Sequence, residues 1–234
     1  MEFTEWEPIY ETILDDFGYD RRADERARET LASMTSPIPS DRFEAVDGAT
    51  VAVVGAGPSL ENPRALEPAR EADVVFAAST AADVCLERGV SVDCMVTDLD
   101  KNPETARRLT YEGVPVAIHA HGDNVAQLEA VVPACDRSFV VPTTQARPQR
   151  PVINPGGFTD GDRAAFLADH FGAERLRFAG WDFDDDTVDP EKARKLEWAG
   201  RLLYWLERRR GEQFCVLDGQ REDICLPSGD GDNN

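Results

Sequence analysis

The sequence predicts an α/β fold, a doubly wound and mostly parallel Rossmann-like sheet with a small N-terminal helical cap. Three observations lead there. From Thr50 onward, short apolar β runs alternate with helical stretches, the pattern of βαβ units and parallel strands. The first run, Val51-Ala52-Val53-Val54, is apolar without alternation, as expected of a strand covered on both faces. A chain of 234 residues with 41% hydrophobic side chains can also bury a full core without staples.

The elements follow in order. Phe3, Trp6, Ile9, Ile13, Leu14 and Phe17 recur at helical spacing and Gly18 stops them, predicting a helix over residues 2–17. Ala23, Ala27, Leu31 and Met34 predict a second helix over 20–34. Ser36-Pro37-Ile38-Pro39-Ser40 is a breaker-rich joint. Residues 1–40 therefore read as a helical cap with its linker, and 41–226 as the α/β catalytic domain. Strands are expected at Thr50–Gly55, Asp73–Ser79, Val92–Thr97, Val114–His119, Ser138–Val141, Arg175–Gly180 and Gln213–Leu217. Helices are expected near 80–88, 103–112, 123–132, 160–171 and 190–210. The Gly-, Asp- and Asn-rich tail, 227–234, is expected to be flexible.

Charge excludes several partners. Asp and Glu total 45 against 25 Lys and Arg, a net charge of −20. Such a field repels nucleic acid and anionic lipid. Only Lys101, Lys192 and Lys195 are lysines, and scarce Lys beside abundant acid suits a salt-adapted (halophilic) cytoplasm. The opening Met1-Glu2-Phe3-Thr4-Glu5 lacks a basic and an apolar region, and no apolar run exceeds strand length, so a cytoplasmic chain without a membrane partner is expected. The five cysteines have no CxxC spacing, and Cys85, Cys94 and Cys215 read as small core hydrophobes. The apolar faces of the first two helices offer a homodimer interface.

In a parallel α/β sheet, ligands bind beyond the carboxyl ends of the strands, and several of those ends carry chemistry. Gly55-Ala56-Gly57-Pro58-Ser59-Leu60 follows the first strand. Its glycines serve either a tight turn or bare N–H groups for an anion. It is neither a Walker A loop nor a dinucleotide fingerprint, because no Gly-Lys-Ser/Thr follows and Leu60 holds the third glycine position. Asp98 and Asp100 follow the third strand. Carboxylates two apart share one face of an extended segment, where they can converge on Mg²⁺ together with substrate phosphates. The same spacing recurs by chance elsewhere in so acidic a chain.

His119-Ala120-His121-Gly122-Asp123-Asn124 ends the fourth strand. Paired histidines with a carboxylate and an amide suit acid–base chemistry or a transition metal, although Asp123 also serves as a simple helix cap. Gly156-Gly157-Phe158-Thr159-Asp160-Gly161-Asp162-Arg163 leads into a helix capped by Thr159 or Asp160, either an anion-binding start or a plain turn. Gly180-Trp181-Asp182-Phe183 ends the sixth strand, where Trp181 either packs in the core or holds a planar ring. Together these ends point to a Mg²⁺-nucleotide or polyphosphate site.

As an ordered set, these motifs resemble the archaeal 6-hydroxymethyl-7,8-dihydropterin pyrophosphokinases. The similarity runs from about Thr50 to Leu217 and the helical cap also fits. The family's core is similar to thiamine pyrophosphokinase, within a wider superfamily that includes proteins tied to sugar transfer. The resemblance implies diphosphate transfer from ATP to the pterin hydroxymethyl group, with release of AMP, a requirement for Mg²⁺ and a place in tetrahydrofolate or methanopterin biosynthesis. It implies Asp98 and Asp100 as metal ligands, and Asp123, His119, His121 and Arg163 as catalytic groups. Gly55, Gly57, Ser59, Asn124, Gly156, Gly157, Asp160 and Asp182 would then bind ATP or the reduced pterin. Two alternatives stay open: a metal-dependent nucleotide-sugar transferase, and a nucleotide-sensing module without chemistry.

Overall fold

The computed structural model describes residues 1–225; the tail expected over 227–234 lies outside them. The strands are β1 (Thr50–Val54), β2 (Val74–Ala78), β3 (Cys94–Thr97), β4 (Val116–Ala120), β5 (Val140–Thr144) and β6 (Arg175–Ala179). They run in the order β5-β4-β3-β2-β1-β6. The pairs β5–β4, β4–β3, β2–β1 and β1–β6 are parallel. The helices are α1 (Phe3–Phe17), α2 (Arg21–Met34), α3 (Glu67–Glu71), α4 (Ala81–Glu87), α5 (Pro103–Tyr111), α6 (Val125–Val131), α7 (Asp160–His170) and α8 (Pro190–Arg210). This is the α/β fold that the alternation predicts, and its observed pairs are all parallel. By its internal contacts the chain forms two units.

The first unit holds Met1–Arg42 and Cys94–Gly156, and so α1, α2, α5, α6 and the strands β5-β4-β3. Glu2 and Glu5 form a capping box at the start of α1, and Gly18 ends the helix in the left-handed region at φ 68°. Asp20 caps α2 through the Arg22 N–H. Helix α2 packs on β4, β5 and α6. Trp6, Ile9, Tyr10, Ile13 and Leu14 of α1 and Ala27 and Leu31 of α2 are buried. The apolar faces expected to meet a second copy are therefore already covered within the chain. Pro142 sits in β5, at the end of the strand order, where a missing ladder donor is tolerated.

The second unit holds Phe43–Asp93 and, among the described residues, 157–225, with β1 between β2 and β6. The chain leaves β1 towards β2, while β6, which follows β5 in the sequence, pairs with the other edge of β1, so the carboxyl ends of β1 and β6 flank the switch point of the sheet. The strand expected over Gln213–Leu217 is instead a 3-10 turn at Cys215–Leu217. The reason lies in side chains. Glu207 accepts from the Phe214 N–H at 2.6 Å and Arg221 donates to the Phe214 carbonyl at 2.8 Å, so this backbone is satisfied without a ladder. Cys215 is exposed rather than in the core. No described helix is long and apolar enough to cross a membrane.

Candidate active site

In the first unit, β3 ends in a tight turn rather than an extended segment. Leu99 has φ 71°, its side chain is buried, and its N–H donates to Thr97 Oγ1 at 2.9 Å. The Asp100 N–H donates to Asp98 Oδ1 at 3.2 Å. The expectation that Asp98 and Asp100 meet by strand alternation therefore fails in its geometry. They meet because the chain reverses between them. Partial burial raises the Asp100 carboxyl above the usual range, helped by its hydrogen bond to Asp98 and by repulsion between the two charges.

At the end of β4 the two histidine rings lie 6.3 Å apart but differ in exposure. His119 is 1% exposed, and its Nδ1 lies 3.1 Å from Thr143 Oγ1. His121 is half-buried, with Nε2 3.4 Å from Asp98 Oδ2. Asp123 is exposed. Asn124, expected at the nucleotide, is a buried brace instead. Its Nδ2 donates to the carbonyls of His119 (2.7 Å) and Asp98 (2.9 Å), and its Oδ1 accepts from the His121 N–H (3.1 Å). Those bonds use both amide protons and tie the β3 turn to the β4 turn.

Helix α2 reaches the same turn. Asp24, 3% exposed, accepts from the Gly122 N–H with Oδ1 at 2.7 Å. Its Oδ2 accepts from the Tyr10 hydroxyl and from Gln145 Nε2, each at 2.7 Å. The sequence reading misses Asp24, Tyr10 and Gln145. One signal was present: Asp24 falls on the stripe that Ala27, Arg28 and Leu31 continue at helical spacing, and a carboxylate on a buried stripe needs a partner. Nearby, Asn154 Oδ1 accepts from the Gly156 N–H at 2.9 Å, and its Nδ2 donates to the carbonyls of Gln145 and Ala146. The Gly156 amide, expected to face an anion, is thus engaged within the protein.

The second unit joins the loops after β1 and β6. The N–H groups of Gly55 and Gly57 donate to the carbonyls of Ala179 and Gly180, and the Ser59 N–H donates to Asp182 Oδ2 at 2.9 Å. The expectation that these amides serve a phosphate is corrected: each already has a protein acceptor, and one of those is a carboxylate. Close approach explains the glycines. A Cβ at Gly55 would lie 2.6 Å from the Gly180 carbonyl, and one at Gly57 would run into Asp182. Trp181 donates from Nε1 to the Val53 carbonyl at 3.1 Å. A Cβ at Gly161 would meet its ring, so the indole packs the β1 end against the start of α7.

At that start, Thr159 and Asp162 form the capping box. Asp162 accepts from the N–H groups of Phe158 and Thr159, each at 2.7 Å, and from the Thr159 hydroxyl. Complete burial raises its carboxyl, and these hydrogen bonds oppose the rise. Arg163 Nη1 lies 3.2 Å from Asp160 Oδ1, both side chains being largely buried. Gly157, at φ 95°, leaves no room for a Cβ, which would fall 2.6 Å from Arg163 Cα. Gly157, Asp160 and Arg163 are thus brought together as a packed, neutralised group.

Among the described residues, no group of three His, Cys, Asp or Glu side chains gathers as a metal cage. The Asp98–Asp100 turn still has the donor chemistry for a hard divalent cation. Two carboxylate groups face each other there, and Mg²⁺ takes one or two such ligands with substrate phosphates completing the shell.

The family model described as 6-hydroxymethylpterin diphosphokinase MptE-like matches residues 25–187. The chain is 40% identical over 228 residues to the 6-hydroxymethyl-7,8-dihydropterin pyrophosphokinase of Methanothermobacter thermautotrophicus, covering 89% of this chain and 96% of that one. It is 37% identical over 225 residues to the protein of the same name from Pyrococcus furiosus, covering 88% and 95%. The Methanocaldococcus jannaschii protein of that name is 33% identical over 239 residues, covering 92% and 99%. The chain belongs to the 6-hydroxymethylpterin diphosphokinase MptE-like family.

Proposed function

We propose that this protein transfers diphosphate from ATP to the hydroxymethyl group of 6-hydroxymethyl-7,8-dihydropterin and releases AMP. The observation that carries the reading is the match to three relatives of that name along nearly the whole chain. In the reaction the hydroxymethyl oxygen attacks the β-phosphorus of ATP, the bond from that phosphorus to the AMP oxygen breaks, and the hydroxyl proton must leave. Such a transfer depends on positioning and charge neutralisation more than on covalent help from the protein.

Asp98 and Asp100 are the residues that would hold Mg²⁺, whose chemistry is to offset charge on the β- and γ-phosphate oxygens. His121 and Asp123, the reachable groups of the β4 turn, orient the hydroxymethyl group and take its proton. His119 and Asn124 keep that turn in shape. Within the other unit, Asp182 holds the Ser59 amide and Arg163 with Asp160 stiffens the start of α7. The product enters tetrahydrofolate or methanopterin biosynthesis. The acid excess is an adaptation to a salt-rich cytoplasm.

The test is AMP release from ATP with Mg²⁺ in concentrated salt, with and without the pterin. Pterin-dependent AMP without ADP supports the reading. A folded, ATP-binding sample that yields no AMP overturns it.

A further inference from the structure

We infer that Asp24 is a positioning residue for this reaction, holding from helix α2 the turn that presents His121 to Asp98. The inference rests on the diphosphotransfer proposed above. Asp24 lies far from the strand-end motifs in sequence, 98 residues before Gly122, and just ahead of the family-matched span 25–187.

The turn His121–Asn124 is held at two successive backbone N–H groups, on either side of the His121 α-carbon. Asn124 Oδ1 fixes the His121 N–H at 3.1 Å, and Asp24 Oδ1 fixes the next N–H, that of Gly122, at 2.7 Å. The imidazole between these anchors points Nε2 to within 3.4 Å of Asp98 Oδ2. Asn124 ties the turn to the neighbouring β3 turn, whereas Asp24 ties it to helix α2. Its carboxylate is itself aimed by two further donors, Tyr10 from α1 and Gln145 from beyond β5. A buried carboxylate with three donors is a stiff acceptor, because loss of any partner leaves charge unsatisfied. Gly122 is matched to this contact: a Cβ there would lie 2.7 Å from Ala23 Cβ. A fold that needed only a packed helix could place an apolar residue at position 24. A charge whose second oxygen is clamped by two donors and whose first meets the turn's backbone defines a position.

The test is Asp24→Asn in the full-length protein. The amide keeps the volume, but its single oxygen cannot serve both Gly122 and the Tyr10–Gln145 pair. We expect kcat to fall about 10- to 100-fold with KM for ATP and pterin within about twofold, since misplacement by a fraction of an ångström damages orientation more than binding. In a His121→Asn background the same change should add little, because the group it misplaces is already gone. The Gly122 amide proton, held downfield by a carboxylate acceptor, should move upfield in Asp24→Asn. A folded Asp24→Asn protein with wild-type kcat, or losses that multiply in the double variant, overturns the role.

If Asp24→Asn does not fold, Gly122→Ala probes the same contact by sterics. Its loss of kcat should be partly regained when Ala23→Gly removes the facing methyl, and no regain overturns the inference. An active wild type with an indifferent Asp24 refutes this role alone. A wild type that makes no AMP removes the functional reading first and this role with it.

Discussion

The Asp182 carboxylate accepts the backbone N–H of Ser59 at 2.9 Å, from a position 123 residues along the chain. This contact gives the glycine-rich loop after β1 its shape and occupies an amide with negative charge. The loop is built by close packing on the β6 loop, not as an open cradle for an anion.

Gly57→Ala should therefore act on the fold. Its Cβ would run into Asp182 and sit 2.8 Å from the Gly180 carbonyl, which cannot move aside cheaply. We expect a loss of about 1–3 kcal/mol, as for other overpacked sites, read by urea denaturation. An unchanged midpoint would show that the two loops separate freely.

Asp98→Asn should stop turnover with the fold intact. The substitution removes one charge of the carboxylate pair and the partner of His121 Nε2. Loss of about 100-fold or more in kcat is expected, on the scale of other charge-stabilising groups. Chelation of divalent ions should abolish wild-type activity and added Mg²⁺ should restore it. Activity that persists in chelator removes the metal role.

Tyr10 gives a pH signature. Burial and the adjacent Asp24 carboxylate hold its phenol well above the usual range. A raised folded-state value contributes stability that is full below the unfolded value, ~10, and is lost as pH rises beyond it. The wild type should lose stability above about pH 10 more steeply than Tyr10→Phe, although the variant starts about 1–2 kcal/mol lower at neutral pH. Parallel curves from equilibrium unfolding across that window would exclude the effect.

Salt should stabilise the chain. A net charge of −20 repels itself, and raising salt from ~0.01 M to ~1 M shortens the screening length from ~30 Å to ~3 Å. Calorimetry should record a Tm rise of several degrees. A flat response would mean that local pairs, such as Arg21 with Glu7 and Glu11, already balance the acid.

Strands β1, β2 and β4 were legible as short runs dominated by Val, Ile, Ala and Phe, whereas β5, with Pro142 and two threonines, begins two residues later than expected. Asp98, Asp100 and His121 were singled out because chemistry-bearing residues at strand ends stand out from an apolar background. The state of the amides was not legible. Gly55, Gly57, Ser59 and Gly156 read as candidate donors, and each is engaged by an acceptor whose identity depends on tertiary structure. Asn124 misled for a related reason: an amide at a strand end can face a ligand or turn back on its own loop. The expected strand at Gln213–Leu217 failed when Glu207 and Arg221 satisfied that backbone from the side.

Leu99 carries a final consequence. Its left-handed backbone would suit glycine, but its side chain is buried in the core. Rearranging the turn would withdraw that side chain into water, at a cost of about 2 kcal/mol or more. Opening of the turn is thereby coupled to loss of core packing, not left to the fraying of a surface loop. The backbone that joins Asp98 to Asp100 is thereby set when the chain folds, its ordering entropy already spent on the core.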